Sequence, residues 1–286
     1  MSSPSHTDFT VMGVVNVTPD SFSDGGRYID ADAAISHGLE LQAEGAEILD
    51  IGGESTRPGA EPVDAAAELE RVLPVIDGLR ARGATAQISI DTSKATVAVA
   101  ALEAGATIIN DVTALRADPE MAAVVAASGA QCCLMHMLGE PRTMQDDPRY
   151  DDVVSDIKAF LEERMAFAVA AGVAEERILL DPGIGFGKTV EHNLELLARL
   201  DEVVALGRPV VIGTSRKGFL GRITGRPVDD RLAATIATNV LAYERGARVF
   251  RVHDVAPVRD ALVIAGATVR RRWPTTPTTS TRTPTT

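Results

Sequence analysis

Asp91 and Asp181 each follow directly on an apolar run, Ser89-Ile90-Asp91 and Leu179-Leu180-Asp181. Asn110 closes a third such run, Ile108-Ile109-Asn110. Carboxylates carried into an apolar interior need cations or a donor-rich ligand. A flat heterocycle with an amidine-like edge offers paired N–H donors that a carboxylate accepts in a fork. Asn110 can donate to and accept from the same ring. That set suits an aminopyrimidine or a pterin better than a sugar.

The opposite charge stands nearby in the pattern. In Arg248-Val249-Phe250-Arg251-Val252-His253-Asp254, side chains alternate across a strand, so Arg251 and His253 project to one side. An arginine fork with a second donor beside it reads as an anion site for a phosphate group. The run Gly213-Thr214-Ser215-Arg216-Lys217-Gly218 adds small residues that let a ligand approach the backbone, with donors among them. Of its two cations Lys217 is assigned to the pocket and Arg216 to solvent. A Schiff-base lysine is the alternative, and nothing in the sequence supports it specifically.

Two loops have the composition of active-site lids. One runs Thr18-Pro19-Asp20-Ser21-Phe22-Ser23-Asp24-Gly25-Gly26-Arg27, the other Gly52-Gly53-Glu54-Ser55-Thr56-Arg57-Pro58-Gly59. Gly183-Ile184-Gly185-Phe186-Gly187-Lys188-Thr189 ends like a P-loop, but Pro182 occupies the place of the first glycine and the motif fails. It is read as a tight turn with Phe186 as an aromatic wall. The five histidines show no HExxH spacing and the cysteines no CxxC spacing, so any metal is expected to be Mg2+ held by oxygen ligands and substrate phosphates.

Something must bring these residues together. Eight short apolar runs recur: Val11–Val15, Glu47–Ile51, Gln87–Ile90, Thr107–Ile109, Gln131–Met135, Ile178–Leu180, Pro209–Ile212 and Arg248–Val252. Between them lie stretches of helical spacing, among them Asp32–Glu44, Pro119–Ser128, Val153–Ala171 and Asp230–Arg245. This alternation predicts parallel strands buried on both faces, and eight units fit an α/β fold of the closed (β/α)8 TIM-barrel type. An open doubly wound sheet is the competing architecture. The barrel is favoured because Asn16, Glu54, Asp91, Asn110, Asp111, His136, Asp181, Ser215, Lys217 and His253 all stand at or just past the C-terminal ends of runs, where barrel enzymes keep their active sites. Asp91 and Asp111 taken singly read equally as helix caps.

The chain has 286 residues, with 28 Lys+Arg against 40 Asp+Glu and a formal charge of −12. Such an acidic balance argues against nucleic acid as a partner, and an anionic substrate then needs a local cationic pocket. No run of about 18 apolar residues offers a membrane span, and the polar start lacks the layout of a signal peptide. A cytoplasmic protein is the expectation. Cys132 and Cys133 are adjacent and read as reduced core thiols. The organisation expected is a polar extension over 1–9, one barrel over 10–269 and a disordered Thr/Pro-rich tail over 270–286.

Two long motifs, Gly13-Val14-Val15-Asn16-Val17-Thr18-Pro19-Asp20-Ser21-Phe22-Ser23-Asp24-Gly25-Gly26 and Asp50-Ile51-Gly52-Gly53-Glu54-Ser55-Thr56-Arg57-Pro58-Gly59, resemble the signatures of the dihydropteroate synthase family. Ser89-Ile90-Asp91-Thr92, Ile109-Asn110-Asp111-Val112, Leu134-Met135-His136-Met137, Asp181-Pro182-Gly183-Ile184-Gly185-Phe186, Ser215-Arg216-Lys217 and Arg251-Val252-His253-Asp254 follow in family order. The likeness runs from Val11 to about Val269, with Val15 and Gly218 as minor departures. It implies condensation of 6-hydroxymethyl-7,8-dihydropterin diphosphate with p-aminobenzoate, giving 7,8-dihydropteroate and pyrophosphate with Mg2+ as cofactor. It implies pterin contacts at Thr56, Asp91, Asn110, Asp181, Lys217, Arg251 and His253, and catalytic roles for Lys217, Arg251, His253 and Asp91. Arg251, His253 and Asn16 match the pyrophosphate and Mg2+ positions, with Asn16 the metal ligand. Thr56, Arg57, Pro58, Phe186 and Ser215 match positions around p-aminobenzoate. No insertion stands beside Phe186 of the kind seen in sulfonamide-insensitive relatives, which implies a sensitive enzyme. A homodimer through the outer helices is also implied. Because an aniline nitrogen is already nucleophilic, no Ser–His or Cys–His activating pair is expected.

Two rivals make different demands. A methyltetrahydrofolate methyltransferase-like barrel would share the ring contacts but lack the Thr56-Arg57-Pro58 loop and the Arg251/His253 pair. A non-catalytic pterin-binding paralogue would have lost the first loop or Lys217.

Overall fold

The computed structural model describes residues 8–17, 27–55 and 59–270, the side chains of 27–30 excepted. All of the expected lid over 18–27 but Arg27, the Thr56, Arg57 and Pro58 contacts, and nearly all of both terminal segments lie outside the described residues. Eight parallel strands, β1 (Thr10–Asn16), β2 (Ile48–Gly52), β3 (Gln87–Asp91), β4 (Ile108–Asp111), β5 (Gln131–Met135), β6 (Ile178–Asp181), β7 (Val211–Ile212) and β8 (Val249–Val252), pair in the order β6-β5-β4-β3-β2-β1-β8-β7. The bridge Leu180–Val210, with the Leu180 N–H donating to the Pro209 carbonyl at 3.0 Å, joins β6 to the β7 side and closes the ring. Closure decides against the open sheet.

Helices α1 (Arg27–Ala43), α2 (Ala65–Ala81), α3 (Ala95–Glu103), α4 (Met121–Ser128), α5 (Val153–Ala170), α6 (Val190–Ala198), α7 (Leu200–Val204), α8 (Gly218–Thr224), α9 (Leu232–Glu244) and α10 (Val255–Arg270) accompany the strands. The starts of α2, α5 and α6 are capped by the side chain of the preceding residue, those of α3, α4, α7, α8 and α9 are not. Asp64 accepts from the Ala67 N–H at 2.8 Å and Asp152 from the Ser155 N–H at 2.8 Å, each satisfying an amide that has no partner inside its helix. β7 is shorter than the run Pro209–Ile212, because Pro209 has no N–H to give the ladder. β3, β4 and β6 run one or two residues further than their apolar runs, each ending on a polar residue. Helix α1 begins five residues before its apolar period does.

Strand alternation divides the core in two. Met12, Ile48, Ile108, Cys133, Leu179, Val211 and Val249 fill the barrel interior. Val11, Leu49, Ile51, Ile88, Ile90, Ile109, Cys132, Leu134 and Leu180 face the helices. Adjacent Cys132 and Cys133 therefore point to opposite sides and are both free and buried. Burial pushes the Cys132 thiol up to about 12 and the Cys133 thiol well above its ordinary value, which suppresses thiolate chemistry. With the lower interior filled by apolar side chains, only the C-terminal mouth is left for polar ones.

Candidate active site

The same two-residue period that sends Ile48 and Ile108 inward does so for Asp50 and Asn110 one step up their strands. Register then places Gly52 beside Asp91, Asp91 beside Asn110, and Met135 beside Asp181. Arg251 enters this ring from β8. Its Nε donates to Asp50 Oδ2 at 2.6 Å and one terminal nitrogen to Asp91 Oδ2 at 2.8 Å. Asn110 Nδ2 donates to the same Asp50 oxygen at 3.2 Å. Asp50 is fully buried and its Oδ1 has no hydrogen-bond partner. Sequence reasoning assigned no task to Asp50, although an acid in phase with inward Ile48 on an otherwise apolar strand was the available signal.

Charge at this mouth is crowded. Burial, reinforced by Asp50, Glu68 and Asp111, outweighs the attraction of Arg251 and raises Asp91 to about 7. A carboxyl raised above its unfolded value binds a proton in the folded state that the unfolded chain has released. Asp91 therefore makes stability fall as pH rises from about 4 to about 7. Asp91→Asn is expected to flatten that slope, checked by urea unfolding at pH 5 and pH 7.5. A variant that keeps the wild-type slope would place the charge conflict elsewhere.

Lys217 stands across the mouth. Its Nζ donates to the Ile184 carbonyl and lies 4.5 Å from the centre of the Phe186 ring. Burial lowers it to about 8 against the pull of Asp181. Asp181 Oδ1 accepts the Gly183 N–H at 2.7 Å, and burial raises this carboxyl despite Lys217. Beside these polar groups lies an apolar wall of Val112, Met135, Met137 and Met144, with Phe186 packed on it. Polar edge groups beside an apolar wall are what a flat heterocycle requires.

Not every expected residue joins this cluster. Asp111 caps no helix, α4 starting only at Met121: it accepts from the Thr113 and Leu115 amides, both at 2.8 Å, and holds a turn in which Ala114 and Leu115 have positive φ. His136 is buried beneath the rim and bonds to Lys188. Arg216, expected in solvent, is half-buried and forked onto Asp254 at 3.0 and 2.6 Å, its φ of 58° held by that clasp. His253 sits two residues above Arg251, its Nδ1 3.0 Å from Ser215 Oγ. A Ser–His pair thus exists where none was expected. Ser215 Oγ also accepts the His253 backbone N–H at 3.2 Å, so the contact ties the β7 and β8 loops together. Asn16 ends β1, half-buried and in register with Gly52.

A second, half-buried network was also missed. Lys94 Nζ donates to Glu54 at 2.6 Å and Glu68 at 2.5 Å, and Glu54 accepts the Val63 N–H at 3.0 Å. It pins both ends of the loop after β2. A cavity of about 160 Å³, with Glu54, Ser93, Val112, Thr113 and Met137 in its wall, opens between that loop and the ones after β3 to β5.

Comparison with known proteins finds relatives across nearly the whole chain. The family model described as pterin binding enzyme matches residues 12–253. The dihydropteroate synthase of Mycobacterium leprae is 50% identical over 264 residues, which cover 90% of this chain and 92% of that one. The solved Xanthomonas albilineans dihydropteroate synthase with 4-aminobenzoic acid is 50% identical with a TM-score of 0.86, covering 91% of this chain and 93% of its own. A Yersinia pestis dihydropteroate synthase solved as a sulfonamide drug complex gives 0.86 at 44% identity, covering 91% and 94%.

Proposed function

The chain belongs to the dihydropteroate synthase family of pterin binding enzymes, and we propose from its geometry how each side chain serves that reaction. It is a transferase that forms 7,8-dihydropteroate in folate biosynthesis, and its p-aminobenzoate site is a sulfonamide target. The pterin enters as the 6-hydroxymethyl-7,8-dihydropterin diphosphate and leaves its pyrophosphate behind. Asp181 and Asn110 read the aminopyrimidine edge while Val112 and Met137 cover a ring face. Asn110 has one N–H committed to Asp50, so its carbonyl oxygen and second N–H face the ring. Asp91, paired with Arg251, holds that guanidinium in place beside the ring.

The aniline nitrogen attacks the methylene carbon, the C–O bond to the diphosphate breaks, and the nitrogen's proton leaves to solvent. Lys217, Arg251 and His253 are fixed donors for the developing negative charge, which need not reorganise as it forms. Phe186 and Ser215 stand on the p-aminobenzoate side of the site, and Thr56, Arg57 and Pro58, which lie outside the described residues, are assigned to that substrate by the family resemblance alone. Among the described residues no group of three His, Cys, Asp or Glu could hold a metal. One amide oxygen on Asn16 does fit a Mg2+ carried in by substrate phosphates, since that ion keeps several waters and needs few protein ligands. Bound there, it would neutralise pyrophosphate charge. Pairing through the outer helices and a cytoplasmic site of action complete the assignment.

The carrying observation is the juxtaposition of Asp181 and Asn110 with an apolar wall and with Arg251 and Lys217. A coupled assay of pyrophosphate release tests it. Release is expected only with pterin diphosphate, p-aminobenzoate and Mg2+ together. Release without p-aminobenzoate would mean a hydrolase, and undiminished turnover in excess chelator would remove the metal.

A further inference from the structure

The glycine-rich turn after β6 contributes Phe186 to the site, yet its most unusual residue has no part in the chemistry. Lys188 is 2% exposed, more deeply buried than Lys217 or Arg251, which are half-buried. Its Nζ donates to the Phe186 carbonyl at 2.9 Å and contacts His136 Nδ1 at 2.9 Å. Both bonded acceptors are neutral, and the pull of Asp181, which does not bond to the amine, is opposed by Lys217 and outweighed by burial. Burying an amine on neutral acceptors costs free energy that a methionine of similar length would avoid, so packing alone does not account for this lysine.

The arrangement around it is directed at one peptide. Four successive carbonyls of the turn are each held by a different side chain. Ile184 is held by Lys217, Gly185 by Gln145 at 2.6 Å, Phe186 by Lys188, and Gly187 by Tyr150 at 2.7 Å. His136, on which Lys188 is seated, is itself wedged edge-on against Phe160 with ring centres 4.8 Å apart. Its backbone N–H donates to the Asp181 carbonyl at 3.0 Å. Burial holds His136 down at about 2 and Lys188 well below its ordinary value. The imidazole therefore stays neutral, and even an uncharged amine keeps two N–H bonds, enough for both acceptors. Phe186 in turn has its ring between Lys217 and the methionine wall.

We propose that Lys188, braced by His136, is a positioning residue that sets the Phe186 ring against Lys217 and thereby shapes the arylamine side of the site. This rests on the assignment of Phe186 to the p-aminobenzoate pocket. The reasoning is geometric: holding the Phe186 carbonyl fixes its peptide plane and the direction of its side chain, and a displacement of about 1 Å at a substrate wall is costly.

Steady-state kinetics on the intact enzyme test it. Lys188→Met is expected to raise KM for p-aminobenzoate about tenfold while KM for the pterin diphosphate stays within about twofold. In a Phe186→Leu background the same substitution should add less than about twofold, because its effect passes through that ring. His136→Leu should behave like Lys188→Met, whereas His136→Asn, which keeps an acceptor near Nδ1, should stay close to wild type. If Lys188→Met fails to fold, the two His136 variants carry the test. Equal rises in both KM values, or additive effects of Lys188→Met and Phe186→Leu, would overturn the proposal. An unchanged p-aminobenzoate KM in Phe186→Leu alone would instead remove the pocket assignment beneath it.

Discussion

Replacing Asp181 by Ala is expected to raise the dissociation constant for a non-reactive 6-hydroxymethylpterin by about two to four orders of magnitude. Two charge-assisted bonds at about 1.5–3 kcal/mol each set that range. The structure refines how they are made. Asp181 Oδ1 already accepts the Gly183 N–H, so the ring competes for its remaining lone pairs and for Oδ2. Asp181→Ala therefore removes both the ring contact and a support of the turn carrying Phe186. Asp181→Asn separates the two. Its amide oxygen keeps the Gly183 bond while its nitrogen presents a donor to a donor edge, so binding should fall nearly as far with the turn intact. Because burial raises Asp181, wild-type affinity should begin to weaken above the usual carboxylate range as pH falls. Isothermal calorimetry across pH decides: an unchanged affinity in both variants would end the ring-reading role.

Arg251→Ala should be the most damaging substitution at the mouth, and for a reason beyond the anion site. Arg251 bonds to Asp50, which is fully buried, and to Asp91, which is 11% exposed. Breaking a buried pair by removing one partner costs about 3–5 kcal/mol, because the other charge stays buried without compensation. That loss should shrink on acidification. Without the guanidinium, Asp91 rises further above its unfolded value, so the variant recovers stability as pH falls and loses it as pH rises. Urea unfolding at pH 5.5 and 7.5 should show the smaller deficit at pH 5.5. An equal deficit at both would mean that the carboxylates are compensated by something else. In whatever fraction folds, KM for the pterin diphosphate should rise and pyrophosphate release should slow. Wild-type kinetics would refute the anion role and leave the stability role standing.

Much of the mouth was legible because a strand of period two is short and rigid. Once eight apolar runs are recognised, the residue at each run's end has a known side and a known height. Asp91, Asn110, Asp181 and Arg251 are therefore legible from strand period, Lys217 only from the donors in the loop after β7, and all five converge. Asp111 was ambiguous for the same reason, since it belongs to the opposite phase from Asn110 only once β4 is known to extend through both.

What stayed hidden were partnerships between strands and loops far apart in sequence. Arg251 lies 201 residues from Asp50, His253 38 from Ser215, Lys94 40 from Glu54 and Lys188 52 from His136. Period and composition assign a side chain to a face, which is a local property of the backbone. Which other side chain it meets depends on the register and closure of the barrel, and those arise only when all eight strands are packed together. The sequence by itself therefore determined the family, the strand tips and the polarity of the mouth. The tertiary structure alone decided that Arg251 is shared between two acids, that Arg216 is a clasp and not a free cation, and that a lysine in a failed phosphate motif is spent on holding one carbonyl.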